Sequence, residues 1–342
     1  MAKKRSEKKE TTPANESRRT TYLAFVAAFA VSFFFSMYSE VSMVNTMKFA
    51  AEFQSSAQNY SYTAISPAPI FADQSKYFDP LEDLHMSAAE YDAANDTSIL
   101  ILTSLIPTHP SLEIISKTIE SLGQLVGLPH DAPIFFSIDK PETEKQPGDL
   151  DRLRQYIDNL NSTYGIHDHV TLVEAPYHLG ITGNIKQSIE RMTTKYVYVI
   201  QHDFAFIRPV LHKEIVHAME KYPTTLECIR FNKRPNVAAG ADRGPCFGLD
   251  TSIEDVGVLQ FTKTPGWSDN NHLTTVSYYH DVFNLFWERY HQHGVNFTFG
   301  LPTEQLMRWH ASRNCSKWGP HLLGPPNAPP FIRHLDGRHT GA

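Results

Sequence analysis

From Ser98 to Phe231 the chain alternates short apolar runs with stretches whose apolar residues recur at helical spacing, and few folds accept that order. Residues 98–106 are almost all apolar and end in the turn Pro107-Thr108-His109-Pro110. Leu112, Ile115, Ile119, Leu122 and Leu125 then share one helical face. A second strand, 133–138, ends at Asp139 and is followed by a loop rich in proline and charge. Leu150, Leu153, Ile157 and Leu160 mark another helix, and 170–173 a third strand. The loop 178–183 leads into a short helix marked by Ile185, Ile189 and Met192. A strand from Tyr196, a helix through Leu211, Ile215 and Met219, and a strand at 226–231 complete the series. Such alternation predicts right-handed βαβ units, and so an α/β domain with a mostly parallel sheet flanked by helices. Beyond about residue 232 the alternation fails. Asp281 is the expected N-cap of a helix running to His291, and Pro302 the expected first residue of another. The last stretch, rich in Pro, Gly and His, is expected to be irregular.

Within this frame the segment from Tyr196 to Pro209 is the most informative. Tyr196 to Ile200 are all β-branched or aromatic, which suits a buried strand. The polarity then switches to Gln201, His202 and Asp203. Open α/β sheets present ligand sites beyond the carboxyl ends of their strands, so these three are candidate site residues. A polar loop after an ordinary strand would look the same.

The N-terminal segment is organised differently. Residues 1–20 are polar and basic, residues 21–38 carry no charge, and the first charge after them is Glu40. A helix over 21–38 would just cross a bilayer core, and the basic flank predicts a cytosolic N-terminus. A cleaved signal peptide would have a shorter apolar run bounded by small residues, whereas this one is long and ends in aromatics. Residues 39–97 show little periodicity and are expected to form a stem, leaving 98–342 as the globular domain. Five Asn-x-Ser/Thr triplets follow the apolar run, at Asn59, Asn95, Asn161, Asn296 and Asn314, in keeping with a domain in the lumen of the ER or Golgi. Three cysteines allow one intrachain disulfide and leave one thiol over.

Several function classes are disfavoured. The formal net charge of -6 gives no electrostatic footprint for nucleic acid. The chain has no G-x-G-x-x-G after its first strand, no G-x-x-x-x-G-K-[ST], no G-x-S-x-G and no H-E-x-x-H.

Four segments, taken in order, resemble the GT-A-fold glycosyltransferases, specifically the family-2-like members. They are Leu105-Ile106-Pro107-Thr108 with its helix, Phe136-Ser137-Ile138-Asp139, His178 through Asn184, and Val197 through Asp203. The likeness covers about residues 98–210 well and the remainder loosely. It implies a GT-A-like (Rossmann-like) fold behind a single transmembrane helix and a stem. It also implies a type II Golgi-type membrane enzyme, a hexosyl- or related transferase using a nucleotide-sugar donor and a glycan or glycoprotein acceptor. By the same resemblance Thr108, Asp139, Asn184, Gln201, His202 and Asp203 would bind the donor. The family's D-x-D motif holds Mn²⁺ or Mg²⁺ against the diphosphate. Here the equivalent is Gln201-His202-Asp203 with one carboxylate, which puts metal dependence in question. Some members add a C-terminal ligand, and His334, Asp336 and His339 are available, His334 being the expected metal ligand beside Asp203.

On the acceptor side Trp267 and Asp269 stand together, a ring to stack on a sugar and an acid to orient its hydroxyls. A core tryptophan would fit the same pattern. Trp287 and Trp309 read as core. Glu304 follows Pro302 at a helix start, as the catalytic acid does in inverting GT-A enzymes. Asp269 and Glu304 thus compete for the role of base, and Glu304 is the favoured one. Asn184 could instead be a helix N-cap. The weakened triplet leaves a second function open, a non-catalytic glycan-binding or scaffold member of the fold.

Overall fold

The computed structural model describes residues 95–129, 131–291 and 303–335, of which 287–291 are described by their main chain only. The expected basic tail, membrane anchor and most of the stem, the triplets at Asn59 and Asn296, Pro302, Asp336, His339 and the Trp287 side chain all lie outside that description. Among the described residues no helix is long and apolar enough to cross a membrane.

Four strands form the parallel half of the main sheet: β1 (Thr97–Thr103), β2 (Ile134–Ile138), β3 (Val170–Glu174) and β4 (Tyr196–Gln201). Their order is β3-β2-β1-β4. Every residue of β1 is buried, which is why its sequence shows no polar face. Ile99, Ile101, Tyr196, Tyr198 and Ile200 pack on one side of the sheet. They meet Ile115 and Leu122 of α1 (Glu113–Leu125), Leu153 and Tyr156 of α2 (Asp149–Thr163), and Ile215 and Met219 of α4 (His212–Lys221). Leu100, Leu102, Val197 and Val199 face the other way. They pack with Ile185 and Ile189 of α3 (Gly180–Ile189), Tyr279 and Phe286 of α5 (Val276–His291), and Met307 and Ala311 of α6 (Thr303–Arg313). The result is a three-layer α/β/α arrangement.

Beyond β4 the sheet continues through β9 (His272–Thr275), β6 (Cys228–Arg230), β10 (His321–Leu323), β8 (Phe261–Lys263) and β7 (Gly248–Leu249). Seven of the nine strands in this sheet run the same way, with only β8 and β9 reversed, so it is mostly parallel. A separate antiparallel pair joins β5 (Phe204–Phe206) to β11 (Ile332–His334). The C-terminal stretch therefore contributes strands where an irregular tail is expected from its composition. These strands have two to four residues each, too few for an alternation to register.

Two helix starts differ from expectation. α5 begins at Val276, with Thr275 Oγ1 accepting the Tyr278 N–H at 3.1 Å, so Asp281 lies inside the helix and is not its cap. α3 begins at Gly180, so Asn184 is an interior residue and not an N-cap. Cys246 and Cys315 form a disulfide that ties the loop before β7 to the short helix α7 (Cys315–Trp318), while Cys228 is buried as a thiol.

The chain runs β1, β2, β3 in one direction, then crosses back to place β4 on the other side of β1. That reversal opens a crevice at the carboxyl ends of β1 and β4, the position where open α/β sheets bind ligands.

Candidate functional site

The crevice is a cavity of about 990 Å³. Its walls are the ends of β1 and β2, the loops 104–106 and 139–145, the start of α3, the Gln201-His202-Asp203 corner, and His334. A space of this size is at the upper end of small-molecule sites.

Asp139, at the end of β2, holds the start of α3. Its Oδ1 accepts the Leu179 N–H at 2.8 Å, and its Oδ2 accepts the Gly180 N–H at 3.1 Å. His178 Nδ1 stands 3.0 Å from the same Oδ2. A carboxylate at the positive end of a helix satisfies amides that would otherwise lack partners. Asp139 lines the cavity and retains lone pairs for a further donor. Asn184, one turn into α3, donates from Nδ2 to the Gly180 carbonyl at 2.7 Å. Its Oδ1 accepts from Ser137 Oγ and from Gln187. It also lines the cavity, but its amide is committed to holding α3 against β2.

Thr108 is placed differently from the expectation. It is exposed in the turn after β1, and Ser104, Leu105 and Ile106 line the cavity instead. That turn is held by Arg152, whose guanidinium donates to the carbonyls of Ile106, Pro107 and His109. His109 stacks on Tyr156 at 3.7 Å, and burial lowers its pKa to about 3.

The Gln201-His202-Asp203 corner splits in three directions. Gln201 donates from Nε2 to the Asp269 carbonyl at 3.0 Å, which joins this cavity to the loop carrying Asp269. His202 folds back on β1, its Nδ1 3.2 Å from the Leu102 carbonyl and its own carbonyl accepting from Thr118 Oγ1. Its imidazole is thus turned towards the strand. Asp203 is buried, and its Oδ2 stands 3.0 Å from His334 Nε2. The β5–β11 pairing sets His334 opposite Phe204 and so brings a residue from the C-terminal stretch to the end of β4. Among the described residues no group of three or more His, Cys, Asp or Glu side chains could hold a metal ion.

A second cavity of about 300 Å³ lies beside Asp269. Asp269 and Glu304 both line it, with Arg230, Lys233, Arg234 and Arg308. Burial, then the nearby Glu304, push Asp269 up to about 6. Glu304 stands in the first turn of α6, and that helix start is pinned to α3, since Thr182 Oγ1 accepts the Thr303 N–H at 3.2 Å. One helix therefore carries residues of the first cavity on one face and steadies Glu304 from the other.

Trp267 does not offer a stacking face. It is 1% exposed, and its indole donates to Tyr278 Oη at 3.1 Å. Trp309 departs from expectation the other way: it is 40% exposed beneath the Arg313 guanidinium. The basic lining of the second cavity leaves only a faint trace in the sequence. Arg230, Lys233 and Arg234 fall within or just after β6 and Arg308 on α6, and only the tertiary fold brings them together. The pair Lys233-Arg234 directly after an apolar run was the available signal.

No family model matches the sequence, and no curated protein matches it. Among solved structures the chain is similar to the mannosyltransferase PcManGT from Pyrobaculum calidifontis in complex with GDP-Man and Mn²⁺ (11% identity, 72% of this chain and 58% of that chain, TM-score 0.40). It is also similar to GalNAc-T7 with UDP, GalNAc and Mn²⁺ (12% identity, 70% of this chain and 44% of that chain, TM-score 0.42). In both cases the similarity spans less than two thirds of the other chain.

Proposed function

We propose that the chain is a nucleotide-sugar-dependent glycosyltransferase of GT-A type that transfers a sugar to a glycan or glycoprotein with inversion. The observation that carries this proposal is the Asp203–His334 contact, in a large cavity at the switch point of the sheet, with Asp269 and Glu304 in a cavity next to it. A nucleoside diphosphate suits the larger cavity. Asp139 at the end of β2 would accept from ribose or base, and Lys140 and Lys145 in the adjoining loop supply positive charge.

Asp203 and His334, 3.0 Å apart, would be the two protein ligands of a divalent ion bound with the diphosphate. An imidazole in the set suits Mn²⁺ better than Mg²⁺. When bound, such an ion neutralises the charge of the leaving diphosphate. The chain's own acids act on the acceptor. Glu304, fixed at a helix start, takes the proton of the attacking hydroxyl, and Asp269 orients the acceptor through its other hydroxyls. The Gln201–Asp269 hydrogen bond keeps the two sides in register. Thr108 and Trp267 have no part in this scheme.

The test is the purified full chain in detergent, given a panel of nucleotide-sugars with and without Mn²⁺. Release of a nucleotide from one donor, stimulated by Mn²⁺, is expected. Tight glycan binding with no donor turnover under any condition would instead establish the non-catalytic alternative.

A further inference from the structure

The second cavity carries more charge than a neutral sugar needs. Four basic side chains line it with three carboxylates, Asp242, Asp269 and Glu304. Asp242 is internally neutralised: its Oδ1 accepts from Arg230 at 2.5 Å and from Thr264 Oγ1, and its Oδ2 accepts from Arg234 at 3.0 Å. Arg230 and Arg234 are committed to that cluster. Arg230 also donates to the Gly266 carbonyl, and Arg234 to the Ala239 carbonyl. That leaves Lys233 and Arg308, both exposed at the mouth. Neither has a carboxylate within ion-pair distance among the described residues. Arg308 lies one turn along α6 from Glu304, on the same helix face, without closing a salt bridge to it. Lys233 rests 5.2 Å from the Phe204 ring centroid, which fixes the reach of its ammonium beside the Asp203 corner.

We infer that this cavity takes an acceptor bearing an anionic group, a carboxylate, sulfate or phosphate, held by Lys233 and Arg308 while a hydroxyl of the same molecule faces Asp269 and Glu304. The inference rests on the transferase proposal for the role of acceptor, but not for the anion site itself. The division of the lining supports it. Carboxylates can accept from sugar hydroxyls yet repel an anion, so an anionic acceptor needs cations that the carboxylates of the lining have not already bound in an ion pair. Lys233 and Arg308, which form no ion pair among the described residues, supply that countercharge at the mouth.

The experiment uses the full chain in detergent and an array of matched glycans. Neutral parents are compared with members carrying a uronic acid, and separately with sulfated and phosphorylated members. Wild type should hold an anionic class about 5–20-fold more tightly than its neutral parents, and added salt should erode the preference. The double variant Lys233→Met/Arg308→Met should lose the preference while binding neutral glycans as wild type does. Both residues are exposed, so an unchanged melting temperature is expected and serves as the folding control. Single variants, read the same way, serve if the double variant is unstable. The uronic acid and sulfate/phosphate arms separate the two sources of negative charge. Equal binding of neutral and anionic members, a preference that survives the double variant, or binding of neither class would each overturn the inference. Nucleotide release is measured on the same preparation. Lost donor turnover with the anion preference intact would remove the transferase proposal and keep the anion site. Normal turnover without a preference would do the reverse.

Discussion

Asp269 is a candidate site residue whose acidity its surroundings change. Its carboxyl titrates at about 6 in the folded protein, against 3.8 when unperturbed, because burial and Glu304 both oppose its charge. Between about pH 4 and pH 6 the unfolded chain has lost this proton and the folded chain still holds it. Stability therefore falls as pH rises through that window. Asp269→Asn removes the penalty, and at pH 7 the variant should be more stable than wild type by about 1–3 kcal/mol. The same variant should bind acceptor poorly, and the rise in acceptor affinity expected near pH 6 should disappear from its profile. Chemical denaturation at pH 4 and pH 7, with acceptor KM across that range, checks both. Equal stabilities at pH 7 would show that Asp269 is not strained. Glu304→Gln should instead lower kcat by about 10²–10⁴-fold with donor affinity intact, as general bases do. Near wild-type kcat, or a product retaining the donor's anomeric configuration, would take Glu304 out of that role. Asp203→Asn removes the one carboxylate of its corner and should slow donor turnover by about 10²–10³-fold, by analogy with lost charge stabilisation at other sites. Unchanged turnover and metal response would move the donor site elsewhere.

At the scale of elements, α3 has the most consequences. Its N-terminal amides are capped by Asp139, its interior Asn184 grips β2, and its Thr182 receives the start of α6. Asp139→Ala should cost about 1–2 kcal/mol as a lost cap and should weaken donor binding as well. A variant that loses donor affinity with full stability would separate the two roles. The same helix shows what the sequence could reveal. The order of β1 to β4 and the helices between them was legible because each run is long enough to display its period. Asp139 and Asp203 line the first cavity, a position the sequence suggests because both follow a buried strand. The start of α3 was not, since the cap comes from Asp139, some forty residues upstream. Asp281 outranks Thr275 as a cap by residue type, yet it lies inside α5 and Thr275 Oγ1 accepts the first-turn N–H. Trp267 could not be told from a core residue, because an indole beside an acid suits either setting until Tyr278 is seen to accept its N–H.

On the scale of the whole molecule, a disulfide and a set of exposed triplets bear on where the chain resides. Cys246 and Cys315 are 69 residues apart in sequence, and closing a loop of that length removes denatured-state entropy worth about 4 kcal/mol in the simplest estimate. Such bonds persist in oxidising compartments. Asn95, Asn161 and Asn314 are exposed, as acceptors of N-glycans must be, although Asn314 Oδ1 also accepts the Lys317 N–H at the start of α7. By the positive-inside rule, the charge step from the basic residues 1–20 to the uncharged 21–38 would put residues 1–20 in the cytosol and the remainder across the membrane. These features together support a type II topology in the ER or Golgi, which we propose on that basis. The chain expressed in a secretory host should shift to higher mobility on glycosidase treatment, and Asn161→Gln should remove part of that shift. Cys246→Ser should lower stability by about 2–4 kcal/mol. Protease added outside sealed microsomes should clip the basic tail and spare the domain from residue 98 onward. Digestion of that domain in intact vesicles, or a chain with no glycan and two free thiols at Cys246 and Cys315, would place it on the other side of the membrane.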